Sequence, residues 1–148
     1  MTTLWPEAVR DASPLELVET EIVQRLRGDA RIDALVADRI YTAIPPSAPF
    51  PLVFVGNATS EPYQRLRHAG IDATVTVRPS SQVPGTWEVH RLADQIRMVL
   101  EGVTVAPLGP FRSATWTYDG GTATYSDDLA GITTYHRPLI FRVRVTIA

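Results

Sequence analysis

Apolar residues recur every three or four positions in two stretches near the start of the chain, the spacing of an amphipathic helix. The first stretch predicts a helix from Pro14 to Arg27, capped by Ser13 and ended by Gly28. Its apolar stripe is Leu15, Val18, Ile22 and Leu26. A second, shorter helix is expected after Asp29, with an apolar side made of Ile32, Leu35 and Val36.

Prolines then separate these helices from the rest of the chain. Pro45, Pro46, Pro49 and Pro51 lack an N–H and bias the preceding residues away from the α region, so Ile44 to Pro51 is predicted to be an extended connector. The segment Arg39 to Tyr41 before it is expected to be extended. Leu52 to Val55 after it is an apolar run, which predicts a strand buried on both faces.

The middle of the chain contains an interrupted strand, an alternating strand and a long helix. Gly56, Asn57 and the Ser60-Glu61-Pro62 cluster are expected to interrupt the first strand, leaving Tyr63 to Gly70 irregular or hairpin-like. Apolar residues alternate in the second strand, at Ile71, Ala73, Val75 and Val77. The long helix is predicted to be capped by Thr86 and to end at Gly102, with an apolar stripe made of Val89, Leu92, Ala93, Ile96, Val99 and Leu100.

The last third of the chain is predicted to be rich in strands. Phe111 to Tyr118 and Leu139 to Ile147 have strand patterns, and Asp119-Gly120-Gly121 is interpreted as a turn. The stretch from Thr122 to His136 is too polar for a core and too long for a tight hairpin. We therefore expect a mobile interaction loop at about residues 119–136.

The order of these elements predicts an α+β fold in one domain, residues 1–148. It has a mixed, mainly antiparallel sheet, with one long and one or two shorter helices packed on one face. A chain of 148 residues is large enough for such a core without disulfides.

Composition excludes several classes of function. The chain has no cysteine and no lysine, and 14 arginines against 16 carboxylates leave a formal charge of −2. Thiolate chemistry is therefore excluded, and no overall positive field favours nucleic acid. The first residues lack a signal-peptide pattern and no run approaches the roughly 20 apolar residues that cross a bilayer, so we expect a soluble protein with no membrane partner.

Motifs for catalysis or metal binding are absent from the sequence. It contains no metalloprotease His-Glu-x-x-His, no phosphate-binding Gly-x-x-x-x-Gly-Lys and no Gly-x-Ser-x-Gly elbow. His68, His90 and His136 lie in different elements without metal-ligand spacing, and Asp127-Asp128 lacks the pattern of a calcium loop. We therefore expect no catalytic residue, no metal and no cofactor.

Arginines and aromatic residues are the candidates for a subunit or partner interface. Arg142 and Arg144 share one side of the last predicted strand, and Arg78 and Arg112 could extend this basic strip if their strands are neighbours. This strip is either a solvated sheet face or a polar interface, because arginine is enriched where subunits meet. The full set of candidate interface residues is Trp116, Tyr125, Asp127, Asp128, Ile132, Tyr135, Arg142 and Arg144.

Taken in order, these segments resemble the tail-completion or tail-terminator proteins of long-tailed, non-contractile bacteriophages, prophages and gene transfer agents. The resemblance is carried by the first helix, Ala34-Leu-Val-Ala-Asp-Arg-Ile-Tyr41, the Pro46-to-Val53 connector, the Asp72-to-Val77 strand, Leu92-Ala-Asp-Gln-Ile96, Tyr135-His-Arg and Phe141-Arg-Val. The segment from Asp119 to His136 is longer than is usual in that family.

The resemblance implies a structural virion protein assembled in the host cytoplasm. It implies a hexameric ring of copies of this chain at the head-proximal end of the tail tube, where it ends tube growth and meets the neck. The implied partners are the tail tube protein and a neck or head-completion protein, with nucleic acid only as DNA passing through the ring. A head-completion or neck connector protein is the alternative in the same class. A small-ligand enzyme or binding domain is the alternative in another class.

Overall fold

The computed structural model describes residues 13–65 and 68–147. The expectation about a signal peptide rests on the first residues of the chain and lies outside these ranges. Within this part of the chain the helices are α1 (Pro14–Arg27), α2 (Ala30–Val36) and α3 (Trp87–Leu100). The strands are β1 (Ile40–Tyr41), β2 (Leu52–Arg65), β3 (His68–Ser81), β4 (Thr104–Val105), β5 (Ser113–Gly121), β6 (Tyr125–Leu129), β7 (Ile132–His136) and β8 (Leu139–Thr146).

The helices begin where the sequence predicts, although one of the three N-cap residues makes no side-chain capping hydrogen bond. The Ser13 side chain accepts from the Glu16 N–H at 3.3 Å, and one Asp29 carboxylate oxygen accepts from two N–H groups at the start of α2. Thr86 stands before α3, but its side chain makes no capping hydrogen bond. Beyond that helix, Gly102 has a φ of 76° and donates to the carbonyl of Trp116, which turns the chain back to the sheet.

The sheet confirms the predicted α+β class and its mainly antiparallel character. Its strand order is β1-β2-β3-β8-β5-β4, and β7 with its partner β6 branches from β3. The β1–β2 pair is parallel, whereas the other pairs are antiparallel. The three helices contact one another and the sheet, and they cover one of its faces.

The hydrophobic core lies between the helices and the inner face of the sheet. Ile96 and Leu100 of α3 are completely buried there, as are Val75, Phe141 and Val143 from the central strands. The strict alternation predicted for the last strand is confirmed by the burial pattern of β8. Burial of this kind stabilises a fold by about 1.5–3 kcal/mol for each large apolar side chain.

The opposite face of the sheet has no covering layer within the described residues, and we call it the outer face. Along its three central strands, side chains that are buried in the core alternate with polar side chains, which lie on this outer face. They are Asp72, Thr74 and Thr76 of β3, Arg142, Arg144 and Thr146 of β8, and Ser113, Thr115 and Thr117 of β5.

The interruption predicted after Val55 does not end the strand, because β2 continues to Arg65 and pairs with β3 up to Arg65 and His68, so the hairpin-like alternative for Tyr63 to Gly70 is confirmed. A register shift between Gly56 and Thr59, with Asn57 at a φ of 51°, accommodates the break as a β-bulge. The strand before it is less buried than expected. Phe54 is only half-buried on the outer face, where the Arg78 guanidinium lies 5.1 Å from its ring centre.

The proline connector is free of helix, as predicted, but it is not uniformly extended. Ala48 donates to the carbonyl of Pro45, closing a turn in which Ser47 has a φ of 59°. Arg39 holds the end of the connector by donating from Nε to the carbonyl of Pro51 at 2.8 Å.

Two expectations about residues 119–136 are also wrong. Asp119 to Gly121 belong to β5, where a register shift after Tyr118 replaces the predicted turn. The following polar stretch contains the hairpin of β6 and β7 instead of a loop without regular structure. The expectation failed because this hairpin is held by backbone pairing and polar contacts and has no apolar core of its own.

Candidate functional site

The β6–β7 hairpin, residues 125–136, is the most exposed ordered element, and we call it the arm. Ala130 and Gly131 connect its strands with φ values of 52° and 80°, the left-handed conformations of a two-residue type I′ turn. In the part of the chain that the structure describes, the arm joins the sheet through two backbone-paired positions, Ser80 with His136 and Ser81 with Tyr135, beside which the Gln82 amide donates to the Thr134 hydroxyl at 3.2 Å. Among the described residues β6 pairs with β7 alone, so its other edge is open.

His136 anchors the base of the arm. Its Nδ1 lies 2.6 Å from Oγ of Ser80 and its Nε2 lies 3.1 Å from a carboxylate oxygen of Asp127. Because a carboxylate only accepts, neutral His136 carries its proton on Nε2 and accepts the Ser80 hydroxyl proton at Nδ1. The Tyr125 ring stacks on the imidazole at 4.8 Å. Burial lowers the pKa of His136, and this outweighs the hydrogen bond that His136 donates to Asp127, which raises the pKa.

This Ser80–His136–Asp127 chain has the residue types of a hydrolase triad but lacks an accessible nucleophile. Ser80 is completely buried, and His136 is only 8% exposed. A serine nucleophile must be accessible to the substrate carbonyl. The hydroxyl of Ser80 on β3 is not accessible, because it is buried beneath the base of the arm. The chemistry that the arrangement supports is a polar anchor that holds the arm to β3.

The two faces of the arm differ in character. The register places Tyr125, Asp127 and Leu129 on one face, together with Ile132 and His136. On that face Leu129 is 81% exposed, Ile132 52% and Tyr125 45%, an unusual exposure for large apolar side chains. The other face carries Asp128, which accepts from the Thr133 hydroxyl, and the half-buried Tyr135.

Five of the predicted interface residues therefore meet on the arm: Tyr125, Asp127, Asp128, Ile132 and Tyr135. The structure contradicts the prediction for Trp116, which is completely buried in the core and offers no side-chain surface to a partner. The prediction failed because aromatic character was weighed without the alternation of β5, which turns this residue inward. Leu129 was missed, although the pattern Leu-Ala-Gly-Ile indicates two strands joined by a glycine turn.

Arg142 and Arg144 lie on the outer face, and both pair within the subunit. Arg144 binds both carboxylate oxygens of Asp72, and this hydrogen bonding raises the pKa of the guanidinium. Arg142 lies 3.5 Å from Asp119 with both side chains about half exposed. Tyr63 adds its ring to this patch, 4.6 Å from the Arg144 guanidinium.

A second exposed surface lies on the helical side of the subunit. Trp87, Arg91 and Met98 lie on one stripe of α3, with Trp87 52% and Met98 69% exposed. Arg91 covers the Trp87 ring at 5.3 Å. Beside Met98 is an open groove of about 460 Å³ between α3 and the start of α2, lined by Asp29, Ala30, Arg31, Gln95, Met98 and Val99.

The remaining polar clusters are structural contacts. Arg137 lies 3.0 Å from Nδ1 of His90 and 3.6 Å from Asp94, which ties the start of β8 to α3. In residues 13–65 and 68–147, no three histidine or carboxylate side chains converge as metal ligands would. None of the helices in this same part of the chain has the length and apolar character needed to cross a membrane.

Comparison with known proteins found one family. The model of the family described as "Tail completion protein gp17" matches residues 20–146, which is most of the chain. A solved chain from the "Virion of native gene transfer agent (GTA) particle" is similar in fold, with a TM-score of 0.69 and 22% sequence identity. The similarity covers 84% of this chain and 91% of the other. The curated proteins include no match.

Proposed function

This chain belongs to the tail completion protein gp17 family, and we propose that it caps the head-proximal end of a phage-like tail tube as a ring. Membership makes it a structural tail protein of a phage or gene transfer agent particle. The finer proposal is that the ring, of six copies, stops tube growth and joins the tail to the neck. The partners in this proposal are further copies of the chain, the tube protein and a neck or head-completion protein.

The observation that carries this proposal is the pair of unlike exposed surfaces on one subunit. The arm presents large apolar side chains at Leu129 and Ile132, and α3 presents Trp87 and Met98 on the helical side. Two different surfaces that fit one another make a head-to-tail contact, which closes into a ring when the rotation per subunit divides the circle. A tail tube with sixfold symmetry would set the number of copies in the ring at six.

The size of these surfaces supports assembly at the tube end over a stable free oligomer. Covering two side chains such as Leu129 and Ile132 contributes about 3–6 kcal/mol before the entropy cost of association, which is about 4–15 kcal/mol. A single contact of this size is too weak to hold two free copies together at micromolar concentration. A ring seated on a tube adds contacts to the tube, which raise the effective concentration of neighbouring copies.

In this proposal the protein acts by assembly and performs no reaction. The buried hydroxyl of Ser80 supports that view, because the triad-like cluster of Ser80, His136 and Asp127 serves as an internal anchor. DNA would meet the protein only in passing through the ring.

Removing the chain from a strain that makes the particles tests the proposed function. We expect tails of uncontrolled length and heads without attached tails, and expect the wild-type chain supplied in trans to restore joined particles. Tails of normal length that are already joined to heads would contradict the proposal.

A further inference from the structure

We infer that the arm of one subunit docks on the α3 stripe and its groove in a neighbouring copy of the same chain. This inference rests on the proposed function and names the contact that builds the ring. The donor surface is the apolar face of the arm at Leu129 and Ile132. The acceptor surface is Trp87, Arg91 and Met98 of α3, with Arg31 across the groove.

The apolar character of the two surfaces matches. Leu129 is 81% exposed and Met98 69% exposed, so each leaves most of a large flexible side chain in water. The groove beside Met98 is open and about 460 Å³ in volume, which suits the insertion of one or two aliphatic side chains. Methionine also adapts its shape to an incoming side chain.

The charges of the two surfaces are complementary. The arm carries Asp127 and Asp128 and no arginine, and its histidine is held neutral by burial. Arg31 and Arg91 are exposed beside the groove, and no ion pair within residues 13–65 and 68–147 involves either of them.

The carboxylates near the acceptor surface are already engaged inside the subunit. Asp94 pairs with Arg137, and Glu101 pairs with Arg97. Asp29 accepts hydrogen bonds at the start of α2. Arg31 and Arg91 therefore remain available to a carboxylate on the arm of the next copy.

The two surfaces face different directions, so one copy contributes its arm and the other its helix. The register continues the apolar face of the arm onto the outer face of the sheet, through His136 opposite Ser80. The α3 stripe lies on the opposite, helical side. A contact between them repeats in one direction around a ring, whereas a symmetric contact would stop at two copies.

The absence of native cysteine makes disulfide trapping a clean test. We expect a mixture of Leu129→Cys protein and Met98→Cys protein to form mixed dimers under oxidation, both at high concentration and on tail ends. We expect neither single variant alone to dimerise. The double variant should give a ladder that ends at a closed ring.

Gln64→Cys is the matched control for the donor position. Gln64 is exposed like Leu129, but it lies at the other end of the β2–β3 hairpin from Ser80. Mixed with Met98→Cys protein, it should give no cross-link. Dimers of Leu129→Cys alone, or trapping of Leu129→Cys only by the tube protein, would overturn the inference.

Charge removal tests the electrostatic part of the contact at Asp127, the carboxylate that shares the face of Leu129. Asp127→Asn in the donor copy, which keeps an oxygen to accept from His136, should reduce mixed cross-linking by up to about fivefold, the range of an exposed ion pair. Arg91→Gln in the acceptor copy should give a similar loss, and the two changes together should give no further loss. Additive losses would contradict the pairing of Asp127 with Arg91.

Binding to tails separates failure of this contact from failure of the function. If the protein still joins tails but Leu129→Cys and Met98→Cys never cross-link, the docking inference is wrong and the proposed function stands. If wild-type protein does not associate with tails while the mixed cross-link forms, the contact is right and the proposed function fails.

Discussion

Arg144 donates from Nε and Nη2 to the two carboxylate oxygens of Asp72, at 2.7 and 3.0 Å, and so links β8 to β3 across the outer face. A two-point contact between a planar guanidinium and a carboxylate is stronger and more directional than an ordinary surface pair. Arg144, which the sequence indicated as an interface residue, therefore serves first to hold two central strands in register.

Replacing Arg144 with methionine removes its pair with Asp72 and should lower the free energy of unfolding by on the order of 1 kcal/mol. The loss is small because the side chains of Arg144 and Asp72 are both partly exposed. The matched control is Arg142→Met, whose pair with Asp119 is longer and more exposed. We expect that change to be close to neutral in urea unfolding of the subunit. Equal losses for the two variants would contradict the structural role assigned to Arg144.

Side-chain periodicity was enough to predict the helices and the buried strands. The spacing of Ile22 and Leu26, or the alternation of Val75 and Val77, reports which side of an element meets a core. The elements that it missed are held by contacts between residues far apart in sequence. The arm depends on Ser80 meeting His136, and no local pattern encodes a hydrogen bond between residues 56 positions apart.

The residues of the candidate site were also predicted only in part. The polar character of residues 122–136 indicated an exposed segment that contains Tyr125 and Ile132, but it predicted a loop and not the hairpin of the arm. The burial of Trp116 could not be read from composition, because an aromatic residue suits a core and an interface equally well. The α3 stripe was missed because Trp87 and Met98 lie opposite the apolar stripe that identified the helix.

Truncating Ile96 to alanine should cost about 2–5 kcal/mol of stability, because the side chain is completely buried between α3 and the sheet. The control on the same helix is Met98→Ala, an exposed position where we expect a change within about 0.5 kcal/mol. Urea unfolding followed by tryptophan fluorescence measures both. A near-neutral effect of Ile96→Ala would mean that the register of α3 is wrong.

Acid should weaken the anchor of the arm. Burial lowers the pKa of His136 below its ordinary value of 6.5, so the unfolded chain binds this proton more readily than the folded one. The stability contributed by neutral His136 is therefore present above that ordinary value and is lost as the pH falls through the folded pKa.

We expect His136→Gln to flatten the fall in melting temperature between about pH 8 and about pH 5. Met98→Ala, an exposed change at a side chain that does not titrate, is the control for substitution itself and should keep the wild-type slope. If the slope were unchanged in His136→Gln protein, protonation of His136 would not be the cause of the loss of stability in acid.

The arm should be the first part of the free subunit to be cut by a protease, because two residue pairs, one polar anchor and the Gln82 hydrogen bond hold it to the sheet. Cleavage is expected within residues 119–136 and should be suppressed once the protein is seated on a tail. Protection of this segment equal to that of Ile71 to Val77 in the free subunit would contradict the prediction.

Ala130→Asn provides a matched variant for this experiment. Asparagine tolerates the left-handed conformation that Ala130 adopts, and Asn-Gly is a preferred type I′ turn. We expect slower cleavage in the arm, with unchanged cleavage elsewhere.

Imaging of tail ends tests the central claim most directly. Purified tails that lack this protein are incubated with it, and averaged negative-stain images compare their ends before and after. We predict one added ring at the head-proximal end, sixfold in end-on views, on tails that then accept heads. Bare tail ends, or a symmetric dimer of the protein under every condition, would contradict the ring and the proposed function together.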